Sequence, residues 1–233
     1  MKSLDNVSEA AWIASRLGPA GGWVGSLIPQ GFEAYVRVLH PAGYGGEERT
    51  TWAQVAAATG KTAHALMQYS SISGSCYGNH ETWAWDGQAP DVGSLERPLF
   101  EQAVELLQPH TDDHVFAAVW NGFGDLLVYG TTFQLPGREY FLFERELGEV
   151  DGLFATLTSG WPFQSPQLLW PTDHSWFLST EIDLDSTVIG GRRRLIDTVL
   201  ATEEIEAWEV REGDSLMFDG DTINGVHPAF REP

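Results

Sequence analysis

The segment from position 170 to position 194 contains the residues whose types and spacing could do chemistry. The alternation from Ser175 to Asp183 predicts a strand with Glu181 and Asp183 on the same face. Carboxylates two residues apart on one face repel each other unless they meet water or a cation. Arg192, at the start of the next predicted helix, is expected to supply that cation. The sequence therefore predicts a strand and a helix joined by an arginine–carboxylate pair.

This acidic segment has two interpretations. In the first, a buried ion pair between Arg192 and a carboxylate only holds the strand against the helix. In the second, polar side chains and two tryptophans line a pocket that binds a ligand. The residues of that pocket would be Trp170, Asp173, His174, Trp176, Glu181, Asp183 and Arg192.

The helix that follows the acidic segment is predicted from Arg192 to Ala201. Its apolar face consists of Leu195, Ile196 and Val199. Arg192 lies one turn before these residues, so we expect its side chain to point toward the sheet. Arg193 and Arg194 are expected to point to solvent.

Three other motifs carry weaker chemical signals. Gly74–Gly78 places Cys76 in the spacing of a nucleophile elbow, but the residues that follow make a poor helix. His110 and His114 have the spacing of helical metal ligands, yet Pro109 and the strand that begins at Val115 favour a loop. The segment 219–225 is similar to a calcium loop with the wrong ligand spacing, and a turn with Asx hydrogen bonds explains it better.

Helical and alternating periodicities along the chain predict the elements that must position these residues. Helices are predicted over Ser8–Leu17, Thr51–Thr59, Ser94–Leu107 and Arg192–Ala201. Strands are predicted over Phe32–Leu39, Val115–Trp120, Leu126–Phe133, Glu139–Glu144, Ser175–Asp183 and Ile205–Val210. The three central strands, with turns between them, are expected to form an antiparallel meander. No linker interrupts the apolar segments, so residues 1–233 are predicted to form a single α+β domain with a largely antiparallel sheet packed against several helices.

The charge balance restricts the partners that the protein can have. Asp and Glu number 33 against 13 Lys and Arg, which gives a formal net charge of −20. Binding to nucleic acid or to an anionic membrane depends on clustered cations, so neither partner is expected. Cys76 is the single cysteine, and the first residues lack the apolar core of a signal peptide, which together predict a cytoplasmic protein. No cofactor motif occurs, so no cofactor is predicted.

Five stretches of the chain carry a resemblance to a known group of proteins. They are Tyr35–Pro41, Ala118–Gly122, Leu135–Tyr140, Ser165–Trp176 and Glu181–Asp183. Together they resemble a family of acidic actinobacterial proteins of about this length that has no known activity. The resemblance implies a bacterial cytoplasmic protein and transfers no catalytic residue. The acidic α+β character is also similar to that of SMI1/KNR4-type (SUKH) immunity proteins.

Two functions from different classes follow from these patterns. The first is a non-enzymatic protein-binding module whose acidic surface carries aromatic side chains and engages a basic protein, as an immunity protein or antitoxin does. The second is a hydrolase that holds a divalent cation with Asp173, His174, Glu181 and Asp183. The sequence favours the protein-binding module, with no catalytic residue and no metal site.

Overall fold

The computed structural model describes residues 1–43, 49–74, 84–112, 114–124, 126–158 and 163–225. Eight strands occur in this part of the chain: β1 Ala34–Leu39, β2 His114–Trp120, β3 Thr132–Leu135, β4 Arg138–Glu146, β5 Leu168–Pro171, β6 Trp176–Thr180, β7 Ser186–Gly191 and β8 Ala207–Val210. The α-helices are α1 Ala11–Arg16, α2 Val24–Leu27, α3 Trp52–Thr59, α4 Tyr69–Ser73, α5 Arg97–Leu107, α6 Leu153–Leu157 and α7 Arg193–Leu200. Short 3-10 helices cover Ser8–Ala10, Gln108–His110 and Leu147–Gly152.

The eight strands form one sheet in the order β3-β4-β2-β5-β6-β7-β1-β8. Every neighbouring pair is antiparallel. The predicted α+β class with an antiparallel sheet is therefore confirmed. None of the helices in the described ranges is long and apolar enough to span a membrane.

Apolar side chains cover both faces of the sheet. On one face, α5, α7 and residues 147–157 pack over strand residues such as Val36, Leu178 and Ile189. On the other face, the segment that holds α1 and α2 packs over Phe177 and Val188. A third cluster joins α3 and α4 to Leu39 at the end of β1. Because the sheet is covered on both sides, β1 is buried along its whole length and is not the half-buried strand that its alternation predicted.

The predicted central meander is wrong. β2 pairs directly with β4 over seven residue pairs, and β3 lies outside β4 at the edge of the sheet. The strand predicted from Leu126 begins only at Thr132, so the connection after β2 is long enough to pass around the end of β4. The turn at Pro136 and Gly137, where Gly137 has a φ of 82°, joins β3 to β4 as a tight hairpin.

The local helix signals were more reliable than the strand order. Thr51 accepts a hydrogen bond from the Gln54 amide in a full capping box, and Gly60 ends α3 with a φ of 71°. The buried residues of α7 are Leu195, Ile196 and Val199, as the periodicity predicted. β5 and β7 were missed, because short strands buried on both faces lack alternation.

Candidate functional site

A groove of about 290 Å³ lies at the end of the sheet where β4 begins and β6 ends. One wall is the glycine-rich segment that leads into α2, together with Met217. The other wall is formed by the β3–β4 hairpin and by the turn that follows β6. Its lining combines leucine side chains with polar groups, among them Arg138, Tyr140, Glu181 and Asp183. A concave apolar site with a few convergent polar groups is typical of a binding site.

Backbone hydrogen bonds hold the glycine-rich wall in place. The Leu216 amide donates to the Gly22 carbonyl at 3.0 Å, and the Val24 amide donates to the Asp214 carbonyl at 3.0 Å. Gly22 has a φ of 67°, and a Cβ there would lie 2.3 Å from the Met217 sulfur. A side chain at position 22 would be strained at this φ, and glycine lets Met217 pack against the backbone there and reach the rim of the groove.

Arg138 places a positive charge between two carboxylates on the opposite wall. Its Nε and Nη2 both donate to Oε1 of Glu181, at 3.0 and 2.7 Å, and Nη2 also donates to Asp183. The guanidinium lies 5.8 Å from the centre of the Trp120 ring. Two negative charges thus face one positive charge, so the described lining of the groove keeps a net negative charge.

Tyr140 brings a hydroxyl to the same groove. It lies two residues after Arg138 in β4, so both side chains are on one face of the strand. Its side chain is 4% exposed and stacks on Phe133 with ring centres 5.5 Å apart. Burial raises the pKa of the phenol, and the nearby Glu181 carboxylate raises it further. Within the described residues, the hydroxyl makes no hydrogen bond.

Large apolar side chains are exposed at Met217, which lines the groove, and at two residues next to the lining in sequence, Phe218 and Trp23. Trp23 is 47% exposed, Met217 40% and Phe218 46%. Asp219 is exposed beside them and accepts a hydrogen bond from the Ser215 hydroxyl. We call Trp23, Asp214, Met217, Phe218 and Asp219 the rim surface. Exposed aromatic and apolar side chains next to carboxylates are a combination found in protein interfaces.

The predicted pocket is not assembled as one site. Glu181 and Asp183 line the groove from the turn after β6, because the strand ends at Thr180 and not at Asp183 as predicted. Asp173 and His174 lie before β6, at the other end of that strand. β6 has five residues, so at about 3.3 Å per residue the two pairs lie at opposite ends of a strand about 16 Å long. Among the described residues, no three His, Cys, Asp or Glu side chains form a group that could hold a metal ion. The four-residue cluster on which a metal-dependent hydrolase depends is thus divided between two ends of the sheet.

Arg192 does not point toward the sheet as predicted. It is exposed and serves as the N-cap of α7, with extended backbone angles of φ −64° and ψ 148°. Because an N-cap residue is not helical, the helical spacing does not carry its side chain onto the face of Leu195. Glu181 and Asp183 pair with Arg138 instead.

A second, polar depression of about 280 Å³ brings Asp173 and Arg192 together beside His110 and Ser175. Asp173 is exposed there, and its carboxylate accepts the Ser175 amide at 3.0 Å. Burial lowers the pKa of His110, and the charges of Arg194 and Arg192 lower it further. The depression lies at a solvated contact between two loops, where the Ser175 hydroxyl before β6 donates to the His110 carbonyl at the end of the 3-10 helix.

The remaining predicted pocket residues belong to the packing of the domain. Trp170 is buried on one face of the sheet and stacks on Phe177, with ring centres 5.5 Å apart. Trp176 is buried on the other face, where its indole N–H donates to the Thr111 hydroxyl. His174 has a φ of 56° and stacks on Trp12 at 4.2 Å. The two tryptophans therefore cannot flank one pocket.

Two weaker motifs are explained as turns. Asp221 accepts hydrogen bonds from the amides of Ile223 and Asn224, which confirms the predicted Asx turn. His110 ends a 3-10 helix and His114 begins β2, so the two histidines lie on a helix-to-strand connection as expected. Cys76 lies outside the described residues, so the nucleophile-elbow spacing around it is not tested.

Sequence reasoning missed Arg37, Arg138 and Tyr140. The sequence contains a signal for Arg37, because it lies between Val36 and Val38 in a strand that is apolar around it. Arg138 and Tyr140 lie directly after the Pro136–Gly137 turn signal, which places them two residues apart at the start of a strand. Nothing in the local pattern shows which carboxylates they meet.

Comparison with family models, with curated proteins and with solved structures found no match to this chain.

Proposed function

We propose that this protein is a non-enzymatic, cytoplasmic binding protein that engages a basic protein partner through the groove and the rim surface. The observation that carries the proposal is the coincidence of exposed apolar side chains with an excess of carboxylates at one place. Trp23 and Met217 offer apolar contact area, and Asp183 and Asp219 offer negative charge beside it. Such a surface combines the anchors of an interface with the charge that steers a cationic partner.

The charge of the whole chain supports the same proposal. A formal net charge of −20 accelerates encounters with positively charged partners and disfavours phosphate-rich ones. Neutralisation of a basic toxin, such as a nuclease, is the form of the proposal that acidic complementarity fits best. This role agrees with the resemblance to immunity proteins.

Site-specific photocrosslinking tests the proposal. A photoreactive phenylalanine analogue is placed at Met217, or at Thr198 on the outer side of α7 as the control, in cells that naturally make the protein. Mass spectrometry then identifies the crosslinked protein. We expect one partner of basic isoelectric point from position 217 and none of it from position 198.

A pair of charge reversals serves as the second part of the test. Asp219→Lys and Glu203→Lys change the net charge equally, but only Asp219 lies on the rim surface. We expect Asp219→Lys to reduce crosslinking strongly and Glu203→Lys to leave it near the level of the unchanged protein. Equal crosslinking from positions 217 and 198, or an equal effect of both reversals, would refute the proposal.

A further inference from the structure

We infer that the groove binds the side chain of one arginine from the basic partner, an inference that rests on the proposed function. Glu181, Asp183 and the Tyr140 hydroxyl are the recognising groups, and the leucines of the groove contact the aliphatic part of the arginine. Four observations support this assignment: the residual charge, the shape of the lining, the free hydroxyl and the behaviour of Arg138.

The residual charge selects a cation. Arg138 neutralises one of the two carboxylates it contacts, and a second positive charge is needed to balance the other. The Asp183 side chain is 73% exposed, whereas that of Glu181 is 18% exposed. An incoming cation can therefore reach Asp183 from solvent and pass on to Glu181 deeper in the groove.

The lining of the groove matches a long side chain with an apolar stem. Leu27, Leu135 and Leu168 line the groove, and Met217 lies at its rim. Arginine and lysine side chains place their methylene groups against such apolar surface while the charged end contacts polar groups. A small inorganic cation would leave these leucines without a contact.

The Tyr140 hydroxyl is an acceptor that nothing described in the chain uses. The side chain is more than nine-tenths buried, and Tyr140 lines the same groove as Glu181 and Arg138. The hydroxyl faces the groove and is open to water, so a donor from a ligand can take the place of that water. The hydroxyl therefore adds one acceptor to the two carboxylates of the groove, and this set suits a ligand with several N–H donors.

Arg138 shows that a guanidinium fits this environment. Its planar group already contacts both carboxylates and lies over Trp120. A second guanidinium can share these oxygens in the same way, since its donors form a planar fork that a lysine ammonium lacks. Arg138 thus competes with the ligand for Glu181 and Asp183, and removal of Arg138 should strengthen binding.

Titration with model peptides tests the inference on the full chain. Ac-Gly-Arg-Gly-NH2 is compared with two peptides in which citrulline or lysine replaces the arginine. Citrulline is neutral and has nearly the same shape as arginine. Binding is monitored by two-dimensional NMR of the labelled protein. We expect saturable shifts at the amides of Arg138, Ser179 and Glu181, and affinity about tenfold lower for citrulline and for lysine.

Four variants define the contacts. Glu181→Gln and Tyr140→Phe should each weaken binding of the arginine peptide by about tenfold, whereas Arg138→Met should strengthen it. Glu101→Gln, which changes an exposed carboxylate on α5, is the control and should have no effect. Tyr140→Phe keeps the ring that stacks on Phe133, so its fold is preserved and its result is decisive.

Three outcomes would overturn the inference. The first is equal affinity for the arginine and citrulline peptides, and the second is equal affinity for the arginine and lysine peptides. The third is weaker binding by Arg138→Met, because a merely structural ion pair predicts that direction. If rim crosslinking succeeds while the peptides fail, this inference alone is wrong. If no basic partner crosslinks at position 217, the proposed function is wrong whatever the peptides do.

Discussion

Two arginines of this protein, Arg37 and Arg138, meet carboxylates in opposite circumstances. Arg37 is fully buried in β1 and donates to the Ser186 hydroxyl and to the carbonyls of Ala65 and Met67 at 2.9 to 3.2 Å. It also lies 3.7 Å from the Asp185 carboxylate. Arg138 lies at the mouth of a groove, 27% exposed, between two carboxylates.

The difference in burial and in partners distinguishes a structural arginine from an arginine at a recognition site. The donors of Arg37 are directed at groups of the chain itself, and its guanidinium packs 5.3 Å from the centre of the Trp52 ring. No outside group can reach it without unfolding the end of β1. Around Arg138 the charges are unbalanced and a hydroxyl has no partner within the described ranges. Removing a partner from the buried Arg37 group is therefore expected to destabilise the fold, whereas the unbalanced charge at the groove is available to a ligand.

The largest expected effect is the loss of stability when Arg37 is replaced, and it tests this comparison directly. Arg37→Met should lower the free energy of unfolding by about 3–5 kcal/mol, because Asp185 and two backbone carbonyls would lose their partner in a buried place. Arg138→Met should lower it by less than about 1 kcal/mol, since its ion pairs are partly exposed. Chemical denaturation measures both. Similar losses of unfolding free energy in the two variants would show that Arg138 is as structural as Arg37.

His40 extends the comparison to pH. It is buried next to β1, with Nδ1 at 2.7 Å from the Asp91 carbonyl and Nε2 at 3.0 Å from the Thr187 hydroxyl. Burial lowers its pKa to about 4, from an ordinary value of 6.5. As pH falls below about 6.5, the unfolded chain therefore takes up a proton that the folded chain does not. Folding stability from this residue is complete above about 6.5 and is lost as pH falls toward 4.

The expected loss is up to about 3 kcal/mol between pH 6.5 and pH 4. His40→Gln should remove that part of the pH dependence, while His114→Gln, at an exposed histidine, should leave it unchanged. Urea denaturation at several pH values compares the slopes of the three proteins. Parallel profiles for the unchanged protein and His40→Gln would contradict the assignment.

A smaller effect on stability is expected at Glu206, which lies beside the buried end of β1. Its carboxylate accepts the amides of Trp52 and Ala53 at 2.5 and 2.8 Å and thereby caps the first turn of α3. Glu206→Ala should lower the free energy of unfolding by about 1–2 kcal/mol, as the loss of a helix cap does. Glu204→Ala, at an exposed neighbour, is the control and should have an effect under about 0.5 kcal/mol. Thermal or chemical denaturation measures both variants. A loss of equal size in the two would show that Glu206 does not stabilise α3 as a cap.

The smallest expected effect concerns Arg192, the arginine that the sequence placed in the interior. Because Arg192 is an exposed N-cap, Arg192→Ala should change the free energy of unfolding by less than about 0.5 kcal/mol. The comparison with Arg37→Met is direct, since each variant removes one positive charge. A loss of several kcal/mol for Arg192→Ala would restore the predicted ion pair with the sheet.

Part of the candidate site was predictable from local pattern. The alternation through β6 correctly placed Phe177 and Ser179 on one face and carried Glu181 onto the same wall of the groove. The glycines before α2 signalled a close approach of the chain without showing that Met217 was the neighbour. The error at Arg192 arose at a helix end. The helix begins at Arg193, one residue later than predicted, so helical spacing does not apply to Arg192.

The sequence by itself determined the elements that depend on near neighbours: the capped ends of α3, the buried face of α7 and the two faces of β6. These follow from periods of 3.6 and 2 residues and from capping groups within one turn. The tertiary structure alone decided the strand order and the partner of each charge. Arg138 is 43 residues from Glu181, and 148 positions separate Arg37 from Asp185. Such pairs form only after β4 and β6, or β1 and β7, have taken their places in the sheet, so no local spacing encodes them.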